Sequence, residues 1–368
     1  MSPSSLVIHP QLSMLGGGEV VCFLAVRSLL NSGHDVRLLS YTEPSPEVRA
    51  FQSACGADRV THVKLPVLAL PFLGTYPESL QVRFRMAKLH DLRPDYLVHT
   101  QTLVPSPKVT RDGKKVLYVH YPPMRGLEAT SGSRFRRLYL TPLRLYLESY
   151  LAEMDVILCN SHFTRLAILD NWRDFSIPGP VVVYPATLRQ FDSSATFPAR
   201  QNRAVYVARL SSFKRHEIMK ELAQSFPSYS FVSTGSANAA YARYLSRLRK
   251  GKPPNYQIIE NASWTQVRDL LQSSKLYVHC ARDEHFGISI VEAMSAGCVP
   301  LVHASGGPRE FVPEALVWKT IGDLRELCAR LMEQEREWTH WKLLVNKIAR
   351  QFTPERFEQA FAKNVFGG

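Results

Sequence analysis

Cysteine is scarce and scattered. Six residues in a chain of 368, Cys22, Cys55, Cys159, Cys280, Cys298 and Cys328, form no C-x-x-C pair. Most have apolar neighbours, as in VILCN and YVHC, so they read as reduced core residues in a reducing compartment rather than a disulfide framework. Long apolar runs are missing too. Leu65–Leu73 is the longest candidate, carries two prolines, and falls short of the roughly 18 residues a spanning helix needs. The amino terminus, MSPSSLVIHP, has neither a basic segment nor an extended apolar one, so no secretory signal is expected. There is no Gly-Lys-Ser/Thr phosphate loop, no G-x-G-x-x-G and no Asp-x-Asp. Acid is in deficit: 32 Asp and Glu against 45 Lys and Arg leave a formal charge of +13. That favours an anionic partner, whether nucleic acid, a phosphorylated small molecule or an acidic membrane face. The excess is shared about equally between residues 1–190 and the remainder, so it is not a basic tail. With 45% hydrophobic and 21% charged residues, the chain is neither disordered nor a miniprotein.

What is present is alternation. Apolar strand patterns at Ser5–His9, Val36–Ser40, Tyr96–Thr100, Val116–His120, Asp155–Asn160 and Val181–Tyr184 are interleaved with helical stretches, the first from about Glu19 to Asn31. The polar, aperiodic FDSSATFPARQNR reads as a linker over 192–203. The series then restarts with strands at Ala204–Ala208, Tyr229–Thr234, Tyr256–Ile259, Leu276–Cys280 and Val299–His303. Helices are expected at Arg215–Gln224, Ala240–Lys250, Trp264–Gln272, Ile288–Ala296 and Asp323–Glu333. Strands alternating with helices imply parallel sheets with crossover helices. The expected architecture is α/β: two Rossmann-like doubly wound domains, 1–191 and 204–337, facing across a cleft. Helices from about Trp338 to the end (338–368) are expected to pack back on the first domain. Open parallel sheets bind ligands at the carboxyl ends of their strands, so motifs that follow strands carry most weight.

Gly16-Gly17-Gly18 follows the first strand and opens a helix, where glycine lets backbone amides approach a phosphate; a plain tight turn fits equally well. Arg209 and Lys214 lie five apart in VARLSSFKRH. One at a strand end and one at the next helix could close on a diphosphate from two sides, although a solvated basic turn has the same composition. Glu284 and Glu292 are eight apart in EHFGISIVE. Were that stretch helical throughout, eight steps of about 1.5 Å would separate them by roughly 12 Å. Paired glycosidase carboxylates stand only roughly 5–9.5 Å apart, so the spacing suits one long ligand held at two places. Glu292 also lies in an apolar helical run, where a buried structural carboxylate is the competing reading. His120, in VLYVHYPP, ends a strand and precedes prolines. Ser305-Gly306-Gly307-Pro308 offers either a helix-capping turn or backbone amides for a ligand.

Glu284 through Glu292 resembles the E-x7-E motif of retaining glycosyltransferases of the GT-B fold, family four, and Arg209 with Lys214 resembles that family's R-x5-K pair. GGGEV, HYPP, CNSHFT, ARLSSFKRH, DEHFGISIVEAMSAG and HASGGP stand in the family's order, from about residue 6 to 310. HYP followed downstream by EHFGISIVEAMSAG and HxSGGP is most similar to the GDP-mannose-dependent α-1,2-mannosyltransferases that extend lipid-linked oligosaccharides. The resemblance implies that the second domain binds a nucleotide sugar and the first an acceptor. It implies that Arg209 and Lys214 neutralise the leaving diphosphate, that Glu284 holds hydroxyls of the transferred sugar and that Glu292 holds the ribose. Phe286, Gly287 and Ile288 would offer backbone groups, Gly17 and Gly18 would approach the phosphate, and His120 would lie beside the donor sugar. No metal or other cofactor is implied, in keeping with the missing Asp-x-Asp. Two positions depart from the family: Val20 stands where Arg is common after the glycine-loop glutamate, and Tyr121 where Asp often follows the histidine.

Arg134-Phe135-Arg136-Arg137-Leu138-Tyr139-Leu140 and the following Pro142–Leu147 mix arginine with aromatic and aliphatic residues, without an acid before Glu148. A basic amphipathic helix of this kind can lie on an anionic membrane, which implies a peripheral location at the cytoplasmic membrane face; solvated arginines on an ordinary helix are the alternative. Arg243, Arg247, Arg249, Lys250 and Lys252 form a second basic group. No nucleic-acid-binding module is recognisable. Two rival functions stay open: a transferase of the same fold using a UDP-sugar and another acceptor, and a non-catalytic polyanion-binding protein.

Overall fold

A computed structural model of the chain describes residues 2–65, 93–102, 112–123, 134–188, 191 and 200–367. It divides into two compact units: residues 1–188 with 353–368, and residues 189–352. The expected linker lies mostly outside the described residues, and the strand after it begins earlier than expected, at Gln201.

In the first unit, strands β1 (Ser4–Ile8), β2 (Asp35–Ser40), β3 (Thr61–Lys64), β4 (Tyr96–His99), β5 (Lys114–Val119), β6 (Val156–Cys159) and β7 (Val181–Val182) form a sheet of order β3-β2-β1-β4-β5-β6-β7. Every adjacent pair is parallel. Leu6, Val7 and Ile8 are all buried, as expected of a central strand covered on both faces. Helix α1 (Gly17–Asn31) follows β1 with Gly16 as its extended N-cap and Glu19 in its first turn, where a carboxylate complements the helix dipole. Among the described residues, helices α2 (Pro46–Ala54), α3 (Arg134–Ala152) and α4 (His162–Asn171) follow in this unit. On α3 the buried positions are Leu147, Tyr150 and Leu151, packed with Met154, Ile157 and Trp172; spacings of three and four residues place them on one face. The side chains of Arg134, Arg136 and Arg137, on which the membrane reading rests, lie outside the described residues. Arg144 is described: it is exposed, with its guanidinium 5.9 Å from the Phe175 ring centroid.

The second unit repeats the plan. Strands β8 (Gln201–Val207), β9 (Ser230–Gly235), β10 (Tyr256–Glu260), β11 (Ser274–His279), β12 (Val299–His303) and β13 (Val317–Trp318) are parallel in the order β10-β9-β8-β11-β12-β13. Helices α5 (Glu217–Ser225), α6 (Ala242–Arg249), α7 (Trp264–Ser273), α8 (Ile288–Ser295), α9 (Ile321–Glu333) and α10 (Glu335–Ala349) connect and cover them. Both sheets reverse direction between their first and fourth strands in chain order, at β1/β4 and β8/β11. That is the topological switch point where such sheets bind ligands.

The carboxyl-terminal helices do not all return to the first unit. Helix α10 stays on the second, where Trp338 is buried and donates its indole N–H to the Lys275 carbonyl at 3.0 Å. The chain leaves that unit after Phe352. Helix α11 (Pro354–Val365), capped by Thr353 with Pro354 in its first turn, then packs on α1. Arg27 reaches Glu358 at 2.6 Å and Glu355 at 3.2 Å, while Asn31 donates to Glu358 at 2.9 Å. The short strands β3 and β13 carry little apolar pattern, and neither they nor helices α2 and α4 were expected. All six cysteines are free and buried, and no helix among the described residues is long and apolar enough to cross a membrane.

Candidate active site

The adjacency of β8 and β11 assembles the second unit's site. Arg209 follows β8, is exposed, and has no ion pair or side-chain hydrogen bond among the described residues. Its carbonyl accepts a hydrogen bond from His216 Nε2 at 3.0 Å. His216 is fully buried, and burial pushes its pKa down to about 4, so a neutral imidazole fixes the backbone beneath the arginine. Lys214 closes a short 3-10 turn, Ser212–Lys214, after which Arg215 takes a left-handed conformation with φ 55°. That turn carries Lys214 to the loop after β11, where its Nζ lies 2.6 Å from Glu284 Oε2.

Glu284 is not on a helix. The helix begins only at Ile288, after Gly287 with φ 87°, so the uniformly helical spacing considered for the two glutamates does not occur. Glu284 instead pairs with the turn after β12: the Gly307 N–H donates to its carbonyl at 2.8 Å, and Gly306 bridges to it. The Gly307 amide is therefore spent on Glu284, and the Ser305–Pro308 turn acts as a scaffold for the carboxylate. His279, the last residue of β11, places Nε2 3.2 Å from Glu284 Oε2. Burial would raise the Glu284 pKa, but the hydrogen bond from His279 and the charge of Lys214 outweigh it and hold the carboxyl well below the usual carboxylate range. The site thus contains a part-buried, ionised acceptor flanked by a lysine, with a free arginine across the switch point.

Phe286 buries its ring against Phe311 (5.2 Å between centroids) and Phe352 (5.4 Å). Its side chain belongs to the core, so any ligand contact must come from its backbone, as the resemblance implies. Gly287 and Ile288 are partly exposed. Glu292 is buried on α8, beneath the segment where the Tyr277 hydroxyl bonds to Ser289 Oγ at 2.8 Å and the Val207 carbonyl at 3.0 Å.

The first unit brings together a second group at its own switch point. His120, just after β5, sets its Nε2 3.0 Å from the Thr100 carbonyl. A carbonyl only accepts, so that nitrogen carries the proton. Gly18 lies against it: a Cβ there would stand 3.7 Å from His120 Nε2 and 3.5 Å from His9 Cε1. Gly17 is the first residue of α1. Sequence reasoning singled out Gly17, Gly18 and His120 but missed their neighbours. His9, fully buried at the end of β1, meets Thr100 Oγ1 at 2.8 Å and Glu19 Oε1 at 3.2 Å. Burial opposes ionisation of Glu19, yet the His9 contact leaves its pKa below the usual value. The missed residues, His9 and His279, share one signal: each is a histidine at the carboxyl end of a switch-point strand.

Comparison with known proteins agrees with this layout. Residues 15–186 match the family described as Glycosyltransferase Family 4, and residues 189–337 match Glycosyl transferases group 1. The chain is 31% identical over 177 residues to a GDP-Man:Man(3)GlcNAc(2)-PP-Dol alpha-1,2-mannosyltransferase of Yarrowia lipolytica, covering 42% of this chain and 28% of that protein. It is 24% identical over 352 residues to the Kluyveromyces lactis protein of the same name, covering 82% and 61%. The chain therefore spans less than two thirds of either relative. Among solved structures, Anabaena Alr3699/HepE in complex with UDP and glucose superposes over 100% of both chains with a TM-score of 0.76 at 16% identity.

Proposed function

The chain belongs to the family 4, group 1 glycosyltransferases with the GT-B fold, and on that premise we propose that it transfers mannose from GDP-mannose to a lipid-linked saccharide, with retention of configuration and without a metal. The observation that carries this reading is the pairing of Lys214 with ionised Glu284 after β11, with Arg209 following the neighbouring strand β8. As the bond from sugar to phosphate breaks, negative charge grows on the departing diphosphate. A guanidinium fork and an ammonium aimed at that charge stabilise it more in the transition state than in the ground state. Glu284, kept ionised, accepts hydrogen bonds from hydroxyls of the transferred sugar. Glu292 receives the ribose, and the backbone at Phe286, Gly287 and Ile288 meets sugar and phosphate. Gly17, Gly18 and His120 keep the roles the resemblance assigns them.

The mannose donor and lipid-linked acceptor are supported by the names of the fungal relatives. The basic amino-terminal part of α3 supports peripheral contact with an anionic membrane. The second reading, a UDP-sugar donor, is favoured by the UDP in the Anabaena neighbour. A thermal-shift comparison of GDP, UDP and ADP separates the two, followed by transfer assays with the matching sugar nucleotides. A ligand at a hundred times its Kd stabilises by about 2.7 kcal/mol. Selective stabilisation by GDP and turnover of GDP-mannose are expected; preference for UDP would overturn the mannosyl assignment while keeping the family.

A further inference from the structure

Among the described residues the Glu284 carboxylate has two partners, and both reach the same oxygen. Lys214 Nζ stands 2.6 Å from Oε2, and His279 Nε2 stands 3.2 Å from it. An ionised carboxylate only accepts, so this contact is favourable only in the form of His279 that has a proton on Nε2. The two contacts clamp Oε2 and leave Oε1 for a ligand.

The partners differ in mobility. Lys214 is a four-carbon stem on a surface turn, with 31% of its side chain exposed. His279 is 2% exposed at the end of a central strand, and its ring meets the edge of the buried Tyr206 ring on the adjacent strand, with centroids 5.4 Å apart. Close packing leaves such a ring little freedom to swing. Under the proposed function, Lys214 is drawn toward the donor diphosphate just when Glu284 must be held still.

We propose that His279 is the positioning residue for Glu284: it holds Oε2 when the Lys214 ammonium turns to the diphosphate, so that Oε1 stays presented to the hydroxyls of the transferred sugar. This rests on the reading that Glu284 binds that sugar. His279 itself need not touch donor or acceptor, and its proton stays on Nε2 throughout. The alternative is a histidine that only fills space beneath the loop.

The test compares His279→Gln with His279→Asn. The Gln amide nitrogen can occupy the place of the ring Nε2 and donate to Oε2; the Asn amide stops near the Nδ1 position and cannot reach it. Asn is a methylene shorter than Gln and leaves the larger cavity beside Tyr206, so His279→Leu, close to the imidazole in volume but without a donor, runs as a third variant and should lose kcat as His279→Asn does. Transfer kcat is measured with GDP-mannose, or with whichever sugar nucleotide the wild-type chain turns over, and GDP affinity by calorimetry. Displacing a reacting group by about 1 Å can cost about 100-fold, so kcat should fall about 100-fold for His279→Asn and less than about 10-fold for His279→Gln. GDP lacks the sugar, so its Kd should stay within about threefold for all three.

Equal kcat values for His279→Gln and His279→Asn would overturn the proposal. So would a loss of GDP affinity in step with the loss of kcat, since that would mark a general disturbance of the unit. Glu284→Gln runs alongside. If it transfers at the wild-type rate, the reading of Glu284 fails; if it is crippled while the His279 variants are not, only the role of His279 fails.

Discussion

Gly306 is a place where one methyl group would disturb the site through the Glu284 backbone, without replacing the carboxylate itself. Its backbone has φ 92° and ψ −176°, a region occupied almost only by glycine and costing another residue about 1–3 kcal/mol. A Cβ there would lie 2.3 Å from the Glu284 carbonyl oxygen and 2.8 Å from its amide nitrogen. Both are backbone atoms, so relief requires the two loops to part by about 1 Å. That separation strains the 2.8 Å bond from the Gly307 N–H to Glu284, worth about 1 kcal/mol. Gly306→Ala should therefore cost about 2–4 kcal/mol, or about 4–16 °C in the melting of the second unit at about 2–4 °C per kcal/mol. The displacement falls on Glu284, so transfer should drop about 100-fold. Gly287→Ala is the control. It too has positive φ, but its Cβ would meet side-chain atoms only, the far end of Ile290 at 2.6 Å and Glu284 Cγ at 3.3 Å, so its stability cost should stay near the about 1–2 kcal/mol of a left-handed residue, and it serves as a control for the melt rather than for transfer. Thermal melts of the two variants and a transfer assay on Gly306→Ala decide the matter. A Gly306→Ala protein melting within about 2 °C of wild type, or a Gly287→Ala protein that melts the lower of the two, would refute this account of the glycine turn.

Further outcomes are expected. Glu284→Gln should leave GDP binding intact and lower transfer by at least about 100-fold; a wild-type rate would remove Glu284 from the mechanism. Acid should destabilise the fold before the carboxylates protonate. Burial lowers His216 to about 4 and His99 to about 3, whereas both take up protons near 6.5 when unfolded. The unfolded chain thus binds more protons, so stability is full above 6.5 and is lost as pH falls toward those lower values, by roughly 3 kcal/mol for His216 alone. A urea midpoint unchanged between pH 7.5 and 5 would contradict this. Changing Arg134, Arg136 and Arg137 together to Ser should weaken flotation on anionic vesicles at low salt, and equal flotation of variant and parent would count against membrane contact through α3.

Apolar strands punctuated by glycine and proline marked nearly every long element, and Ile288–Ser295 and Val299–His303 fell within a residue of expectation. The motifs singled out Arg209, Lys214, Glu284, Gly17, Gly18 and His120 as polar or glycine positions in the segments after strands or at a helix start, and Glu292 as a carboxylate inside an apolar helix. Which strand lies beside which is fixed by packing instead. β8 and β11 are separated by β9, β10 and their helices, yet they pair as neighbours, and that pairing alone sets Lys214 against Glu284. Parallel strands carry no local signal of their partners, since the choice depends on burial of whole helices over both sheet faces. The same holds for His279 and Gly306, whose meaning comes from Glu284 lying beside them, and for the split between α10 and α11. In that stretch only the packing of Trp338 on one unit and of α11 on the other showed where each helix belongs.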